Sequence, residues 1–226
     1  MTHRIAIIGG TGPEGRGLAT RFALAGHAVV LGSRDADRAT AAAAEVRHRL
    51  AVHGRIGPLS GATNAEAVVD AALVVVTVPF EAHRATLEAL APVLAGTIVI
   101  DAVVPVRFER GPRPVDVAEG SAAEQAAALL PGARVVAAFH NIAAETLLDP
   151  SHVLHEDVLV AGDDAEAKAI VSALVAEIAS LRAVDAGPLR FARFIEGLTV
   201  LLIGINGRYK IRGGIRIAGL PSEATP

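Results

Sequence analysis

Short apolar runs alternate with longer amphipathic segments along the N-terminal part of the chain. Five runs are rich in Val and Ile, lack polar alternation and predict strands: residues 4–9, 27–32, 73–79, 97–103 and 134–140. Such runs are typical of strands that are covered on both faces in a parallel sheet. Helical patterns lie between them, at residues 15–25, 36–50, 81–94 and 121–130. This alternation predicts a doubly wound α/β fold.

The pattern changes in the C-terminal part. It predicts one more strand at residues 157–161, an amphipathic helix at 165–181, a strongly apolar helix at 189–205 and a basic segment at 208–217. We therefore expect two domains that pack closely. The first is the α/β domain of residues 1–144, and the second is a small, mainly helical domain of residues 145–226.

Composition and charge exclude several classes of protein. Hydrophobic residues make up 52% of the 226 residues, which is enough for a buried core and excludes intrinsic disorder. The net charge of −3 argues against a nucleic-acid partner, because phosphate backbones are bound by clustered Lys and Arg. The absence of Cys excludes disulfides, thiolate zinc sites and Cys nucleophiles.

The mean hydropathy of +0.45 raises the question of a membrane. The uncharged stretch at residues 197–205 is much shorter than the roughly 20 residues that a spanning helix needs. Residues 1–10 show no secretory pattern. We expect a soluble, cytoplasmic protein with no membrane partner.

A glycine-rich turn joins the first predicted strand to the first predicted helix. Gly10 permits the tight turn, Gly12 lets a diphosphate approach the backbone, and Gly15 lets the helix pack closely on the strand. The helix N-terminus then presents N–H groups and a positive dipole to phosphates. A plain βα connection is the alternative, but the strand–turn–helix setting favours a dinucleotide site. It comprises Gly10, Thr11, Gly12, Pro13, Glu14 and Gly15.

The end of the second predicted strand indicates which dinucleotide binds. NAD sites usually carry Asp or Glu there, which accepts a hydrogen bond from the ribose 2′-hydroxyl. Here the chain has Ser33 and Arg34, with Arg38 one helical turn beyond. A hydroxyl and two guanidinium groups suit the 2′-phosphate of NADP. Asp35 would repel that phosphate, so we expect it to cap the next helix. The alternative is that both arginines are ordinary surface charges.

The other predicted strands end in apolar segments, at residues 77–80, 103–106 and 139–144. In a doubly wound sheet the ligand lies across the carboxyl ends of the strands. An apolar wall that excludes water suits a nicotinamide ring and a flat hydride partner. Five more residues are therefore assigned to the coenzyme site: Val78, Pro79, Phe80, Val106 and Ala144.

Candidates for acid–base or metal chemistry are few. The chain has no G-x-S-x-G or H-E-x-x-H motif and no carboxylate cluster with metal-ligand spacing, so we predict no metal site. Its only Tyr is Tyr209, and its only lysines are Lys168 and Lys210. We expect direct hydride transfer without a catalytic side chain. His140 lies at a strand end, either as a structural histidine or in contact with the second substrate.

Residues 208–216 carry four cations and no acid. A charge run of this kind is usually a solvated face. The alternatives are an anionic ligand, a dimer contact or nucleic acid, and the net charge disfavours the last.

A series of motifs resembles the F420-dependent NADP oxidoreductases over nearly the whole chain. The motifs are IIGGTGPEGRGLATRFALAGHAVVLGSRDADRA at the start, TVPFEAH and VVPV in the middle, and GDDAEAK and VDAGPLRFARFIEGLT towards the end. The resemblance implies a Rossmann-type domain with a small C-terminal domain, and a homodimer. It also implies reversible hydride transfer between nicotinamide C4 of NADP(H) and C5 of the deazaflavin coenzyme F420.

The resemblance also implies roles for single residues. It places NADP on the glycine turn and on Ser33, Arg34 and Arg38, and it matches His140 and Ile142 to positions near the deazaflavin. Asn141 and Ala143 depart from the Thr and Pro of archaeal members, and the C-terminal segment is longer and more basic. Because the F420 tail is polyanionic, we expect three cations of this segment to bind it: Arg208, Lys210 and Arg212.

Two other readings are kept as alternatives. One is another NADPH-dependent reductase, of a ferric-reductase-like or small imine or keto-acid type. The other is a non-catalytic module that senses NADP.

Overall fold

The computed structural model describes residues 2–221. Ten strands form: β1 (Arg4–Ile8), β2 (Ala28–Ser33), β3 (Leu59–Thr63), β4 (Leu73–Val76), β5 (Ile98–Asp101), β6 (Val106–Phe108), β7 (Pro112–Pro114), β8 (Arg134–Ala137), β9 (Asp157–Gly162) and β10 (Arg182–Gly187). Eight helices connect them: α1 (Pro13–Leu24), α2 (Ala36–Leu50), α3 (Asn64–Ala67), α4 (Phe80–Leu90), α5 (Ala122–Leu129), α6 (Ala144–Leu148), α7 (Ala165–Ala176) and α8 (Ala192–Tyr209).

Eight strands make one sheet in the order β10-β9-β8-β5-β4-β1-β2-β3, and β6 and β7 form a separate hairpin. The six strands from β8 to β3 are parallel, which confirms the predicted doubly wound α/β fold. The strand order reverses at β1, between β4 and β2. In open α/β sheets such a switch point opens a crevice at the carboxyl ends of the strands, where ligands bind.

The apolar strands are buried because helices cover both faces of the sheet. One hydrophobic cluster contains Phe22 of α1, Val46 of α2 and Val171 of α7. The other contains Leu87 of α4 and Ala126 of α5 on the opposite face. All four residues of β4 and of β5 are buried, as predicted from their uninterrupted apolar runs.

Two strands of the sheet were not predicted. Strand β3 reads LSGAT and lacks an apolar run, but it pairs with β2 at the sheet edge. The predicted helix at 165–181 ends at Ala176, and the chain then turns into β10. Strand β9 pairs antiparallel with β8 and parallel with β10. The sheet therefore continues across the boundary expected near residue 144.

Helix α6 is held against α1 by one buried arginine. Arg21 Nε donates to the carbonyl of Leu147 at 3.0 Å. Its Nη2 donates to three more carbonyls: those of Thr146 and Asp149, at 2.6 Å each, and that of His152, at 3.0 Å. The carbonyls of Thr146 and Leu147 belong to the last turn of α6, where a helix leaves its carbonyls without intrahelical partners. Gly17 allows the close approach, because a Cβ there would lie 2.6 Å from the Leu147 side chain.

The chain after α8 runs back over the molecule as an extended segment, residues 211–221, here called the C-terminal strap. The buried Asp157–Arg182 pair anchors it: Arg182 donates to the carbonyls of Ile217 and Pro221, and Asp157 accepts from the Ile217 N–H at 2.6 Å. The basic segment predicted at 208–217 is thus divided between the end of α8 and this strap. Within residues 2–221, the structure has no helix with the length and hydropathy to span a bilayer.

Candidate active site

A groove of about 490 Å³ follows the first crossover of the sheet. The glycine turn forms its floor, where the Gly10 N–H donates to the Gly32 carbonyl at 2.9 Å. Gly15 is required for this turn, because a Cβ there would lie 2.5 Å from the Gly10 Cα. Helix α1 begins at Pro13 and points its N-terminus into the groove. The predicted residues Thr11, Gly12, Pro13 and Glu14 line it.

The far end of the groove carries positive charge. Ser33, Arg34 and Arg38 line it together, as predicted. Asp35 is turned away, since its carboxylate caps α2 by accepting from the N–H groups of Asp37 and Arg38 at 2.9 and 3.1 Å. This confirms the predicted cap. Among residues 2–221, neither arginine has an ion-pair partner, so both are available to an anion.

The opposite wall of the groove contains predicted and unpredicted residues. Val78 and Pro79 line it, as expected from the apolar end of β4. Four polar or small residues also line it: Asn64, Thr77, Ala82 and Thr86. Thr77 follows β4 directly, so its position at the strand end could have indicated its role. The position of Asn64 in the groove could not be predicted from the sequence, because strand β3, which ends just before it, was not predicted.

Two residues expected to contact the coenzyme, Phe80 and Val106, do not line the groove. Phe80 begins α4 and stacks on His83, with ring centroids 6.2 Å apart. Val106 begins the β6–β7 hairpin and pairs with Pro114. The sequence placed both near the carboxyl ends of strands, and in the structure each begins the next element, α4 or the hairpin.

A second cavity, here called the inner cleft, measures about 530 Å³ and adjoins the groove. The segments after β5 and β8, one face of α8 and the C-terminal strap form its walls. Most of the walls are apolar: Ala102, Val104, Ile142, Ala143, Ala144, Leu202, Ile203 and Ile211. Ile142 and Ala144 are residues predicted for the site.

His140 lies in the wall of the inner cleft. Its side chain is buried, and neither ring nitrogen has a hydrogen-bond partner among the described residues. Burial lowers the pKa of His140 to about 4, although Asp101 opposes the shift, so the ring is neutral at pH 7. The neighbouring Asn141 is structural, because its amide donates to the Asp157 carbonyl at 2.6 Å.

Glu14 connects the two cavities. Its Oε1 is buried without a hydrogen-bond partner among the described residues. Burial raises the pKa of Glu14 to about 8, so the carboxyl group is largely protonated at pH 7.

The three cations predicted for the F420 tail are separated in the structure. Arg212, on the C-terminal strap, lines the inner cleft and pairs with Glu145. Arg208 instead lines a different groove beside Gly111 and Pro112. Lys210 ends α8 in a left-handed conformation, is exposed and lines neither cavity.

Comparison with known proteins identifies the family. The family model for coenzyme F420-dependent NADP oxidoreductases matches residues 4–105. The F420-dependent NADP reductase of Methanothermobacter thermautotrophicus is 44% identical over 230 residues, which cover 99% of this chain and 98% of that protein. The chain belongs to the F420-dependent NADP reductase family. The Methanocaldococcus jannaschii reductase is 37% identical and covers 96% of this chain and 99% of its own.

A solved structure agrees with this family at the level of the fold. It is the crystal structure of a protein assigned as an F420-dependent NADP reductase from Arthrobacter sp. FB24. Its TM-score is 0.79 and its identity 32%, and the match covers 96% of this chain and 99% of that one. The Rossmann-type fold expected from the resemblance is thereby confirmed.

Proposed function

We propose that this chain transfers a hydride reversibly between NADP(H) and coenzyme F420. One observation carries the proposal: a phosphate-binding groove with a cationic end opens into an apolar cleft, and the two share a wall at Glu14. When bound, NADP(H) exchanges hydride at nicotinamide C4 and F420 at C5 of its deazaflavin. The protein would bring the two rings together and exclude water, and holding two reactants in the right geometry can lower a barrier by about 7–11 kcal/mol.

The groove would hold NADP(H). The turn of residues 10–15 and the start of α1 would bind the diphosphate, and Ser33, Arg34 and Arg38 would bind the 2′-phosphate. Val78 and Pro79 would guide the nicotinamide towards the inner cleft. Two observations support the assignment of a 2′-phosphate to this end of the groove. The guanidinium groups of Arg34 and Arg38 have no ion-pair partner among the described residues, and the Asp35 carboxylate caps α2 instead of facing the groove.

The inner cleft would hold the deazaflavin. Its apolar walls suit a flat tricyclic ring, and the unpartnered nitrogens of buried His140 suit the polar edge of such a ring. Ile142 and Ala144 would pack against the ring, and Arg212 lies where an anionic tail would leave the cleft. Residues 145–226 would thus complete the F420 site begun by residues 1–144.

We further propose a cytoplasmic homodimer that pairs through α8. Four large side chains lie on one exposed face of this helix: Phe194, Leu201, Ile205 and Tyr209. Their spacing makes a continuous apolar stripe, which is typical of an interface. Sedimentation as a single 23.1 kDa species at micromolar concentration would contradict this proposal.

Mixing the protein with NADPH and F420 should bleach the deazaflavin absorbance, and adding excess NADP⁺ to reduced F420 should restore it. NADH is expected to be a poor donor, because its ribose lacks the phosphate that Arg34 and Arg38 would bind. Free flavin, a ferric chelate and small keto or imino acids serve as parallel acceptors. Turnover with one of these and none with F420 would favour another NADPH-dependent reductase, and binding without any turnover would favour an NADP sensor.

Reversing the charge of Arg212 should weaken F420 binding more than reversing that of Arg208, since only Arg212 lines the inner cleft. We expect R212E to raise the Kd for F420 about 10- to 100-fold at low salt, the range for losing a charge-assisted hydrogen bond to an anion. Fluorescence titration measures it, and R190E, on an exposed residue outside both cavities, controls for net charge. Equal weakening by R190E and R212E would contradict a specific tail contact.

A further inference from the structure

Glu14 occupies a position that direct hydride transfer does not require. Among residues 2–221, it is the one residue that lines both the NADP groove and the inner cleft. The two reacting rings would meet at this shared wall. A carboxyl group at such a position can contact either ring or both.

One oxygen of the Glu14 carboxyl group lacks a protein partner among the described residues. Its Oε1 is buried and makes no hydrogen bond within the described part of the chain, and buried polar atoms are normally satisfied. A bound ligand at this wall is the natural partner for this oxygen. The Glu196 carboxyl, another buried acid, shows the contrast, because it accepts from the N–H groups of Ala122 and Ala123.

Burial of the Glu14 carboxyl group favours its protonated form. Desolvation of the carboxylate raises its pKa. A bound diphosphate at the N-terminus of α1 would raise the pKa further, since an ionised Glu14 would repel it. The titratable and charged groups facing the two cavities beside it are His140, Glu145 and Arg212 in the cleft, and Arg34, Asp35 and Arg38 in the groove.

The reaction itself involves a proton. In NADPH + F420 + H⁺ → NADP⁺ + F420H2, the C4–H bond of the nicotinamide breaks, and a C–H bond forms at C5 of the deazaflavin. Two electrons move with the hydride. Because F420H2 carries one hydrogen more than the hydride supplies, one proton must also reach a ring nitrogen. Groups whose pKa lies near the working pH are suited to supplying such protons.

We propose that Glu14 holds this proton at its carboxyl group, donates it to the deazaflavin ring when F420 is reduced, and takes it back in the reverse direction. The inference rests on the proposed function. The sequence predicted direct hydride transfer without a catalytic side chain. The inference keeps the direct hydride transfer but assigns the accompanying proton to Glu14. The carboxylate formed in each turnover would regain a proton from solvent once the product has left the cleft.

The test compares E14Q, E14D and the unaltered protein in single-turnover reduction of F420 by NADPH between pH 5 and 10. We expect the rate of the unaltered protein to fall about tenfold per pH unit above the pKa of Glu14, which is about 8 without ligand and higher with the coenzyme bound. E14Q should react roughly 100-fold more slowly, which is a usual contribution of general acid catalysis. Its rate should also no longer fall at high pH, so the high-pH limb of the profile should disappear. E14D should keep the limb at a reduced rate. E145Q removes another carboxyl group of the cleft and should also keep it.

A second measurement does not depend on turnover. Calorimetric titration with NADP⁺ at pH 8, in buffers of different ionisation enthalpy, reports proton uptake on binding. The unaltered protein should take up a fraction of a proton, because the diphosphate raises the pKa of Glu14, and E14Q should lose this uptake while still binding NADP⁺.

The outcomes separate the two proposals. No F420 reduction by the unaltered protein would reject the proposed function. Reduction with an E14Q variant that keeps the same pH limb, or the same proton uptake, would reject the role of Glu14 alone. A slower E14Q that retains the limb would show that Glu14 only positions the rings, and would likewise overturn the inference.

Discussion

Replacing Arg34 and Arg38 together by alanine should raise the Kd for NADPH about 100- to 1000-fold. Both side chains line the cationic end of the groove and lack ion-pair partners among the described residues, so a bound 2′-phosphate would take their charge-assisted hydrogen bonds. Losing such bonds from two arginines at a largely exposed site costs roughly 3–4 kcal/mol in total. The affinity for NADH should change little, so the preference for NADPH should nearly disappear. Titration of coenzyme fluorescence measures both constants.

The control for this variant removes two arginines from the other end of the same helix. Arg47 and Arg49 lie in the last turn of α2, so R47A/R49A changes the net charge equally but leaves the groove intact. We expect this variant to bind NADPH within about threefold of the unaltered protein at physiological salt, where distant charges are screened. An unchanged ratio of NADPH to NADH affinity in R34A/R38A would mean that the two arginines are ordinary surface charges.

Replacing Arg21 by methionine should destabilise the protein by about 3–4 kcal/mol, because it removes the buried donor to four carbonyls in and just after α6. Methionine keeps most of the buried apolar stem, so the loss measures the polar contacts. The midpoint of urea unfolding should fall while the slope stays the same. F420 binding should weaken as well, since Ala144 and Glu145 at the start of α6 line the inner cleft.

Arg16 offers a matched control on the same helix. It pairs with Glu45 at 2.6 Å on a partly exposed surface, where such pairs contribute about 1 kcal/mol or less. R16M should therefore move the unfolding midpoint only slightly. If R16M and R21M were equally destabilising, the contact between α1 and α6 would not depend on the buried guanidinium group.

Much of the groove could be predicted because its determinants are neighbours in the chain. The glycines of residues 10–15 set the turn and the start of α1 within one short segment. Asp35 caps α2 through N–H groups two and three residues away, and this cap keeps its charge out of the groove. The apolar runs of β4 and β5 predicted burial on both faces without reference to any partner.

The inner cleft could not be predicted in the same way, since its walls come from distant parts of the chain. Residues 140–145, one face of α8 and the C-terminal strap meet there, and no periodicity in the sequence indicates this meeting. Arg208 and Arg212 show the consequence. They are four residues apart in one basic run, yet α8 ends between them and they line different cavities.

The sequence by itself therefore determined the parallel sheet, the coenzyme turn and the cationic strand end, because backbone conformation, capping and burial of a strand depend on nearby residues. Only the tertiary structure decided that Glu14 and His140 line one cleft, with Glu14 Oε1 and both His140 ring nitrogens unpartnered among the described residues, and that α8 and the strap enclose it. Burial and the pKa values that follow from it depend on which distant segments pack together, so they are properties of the folded molecule.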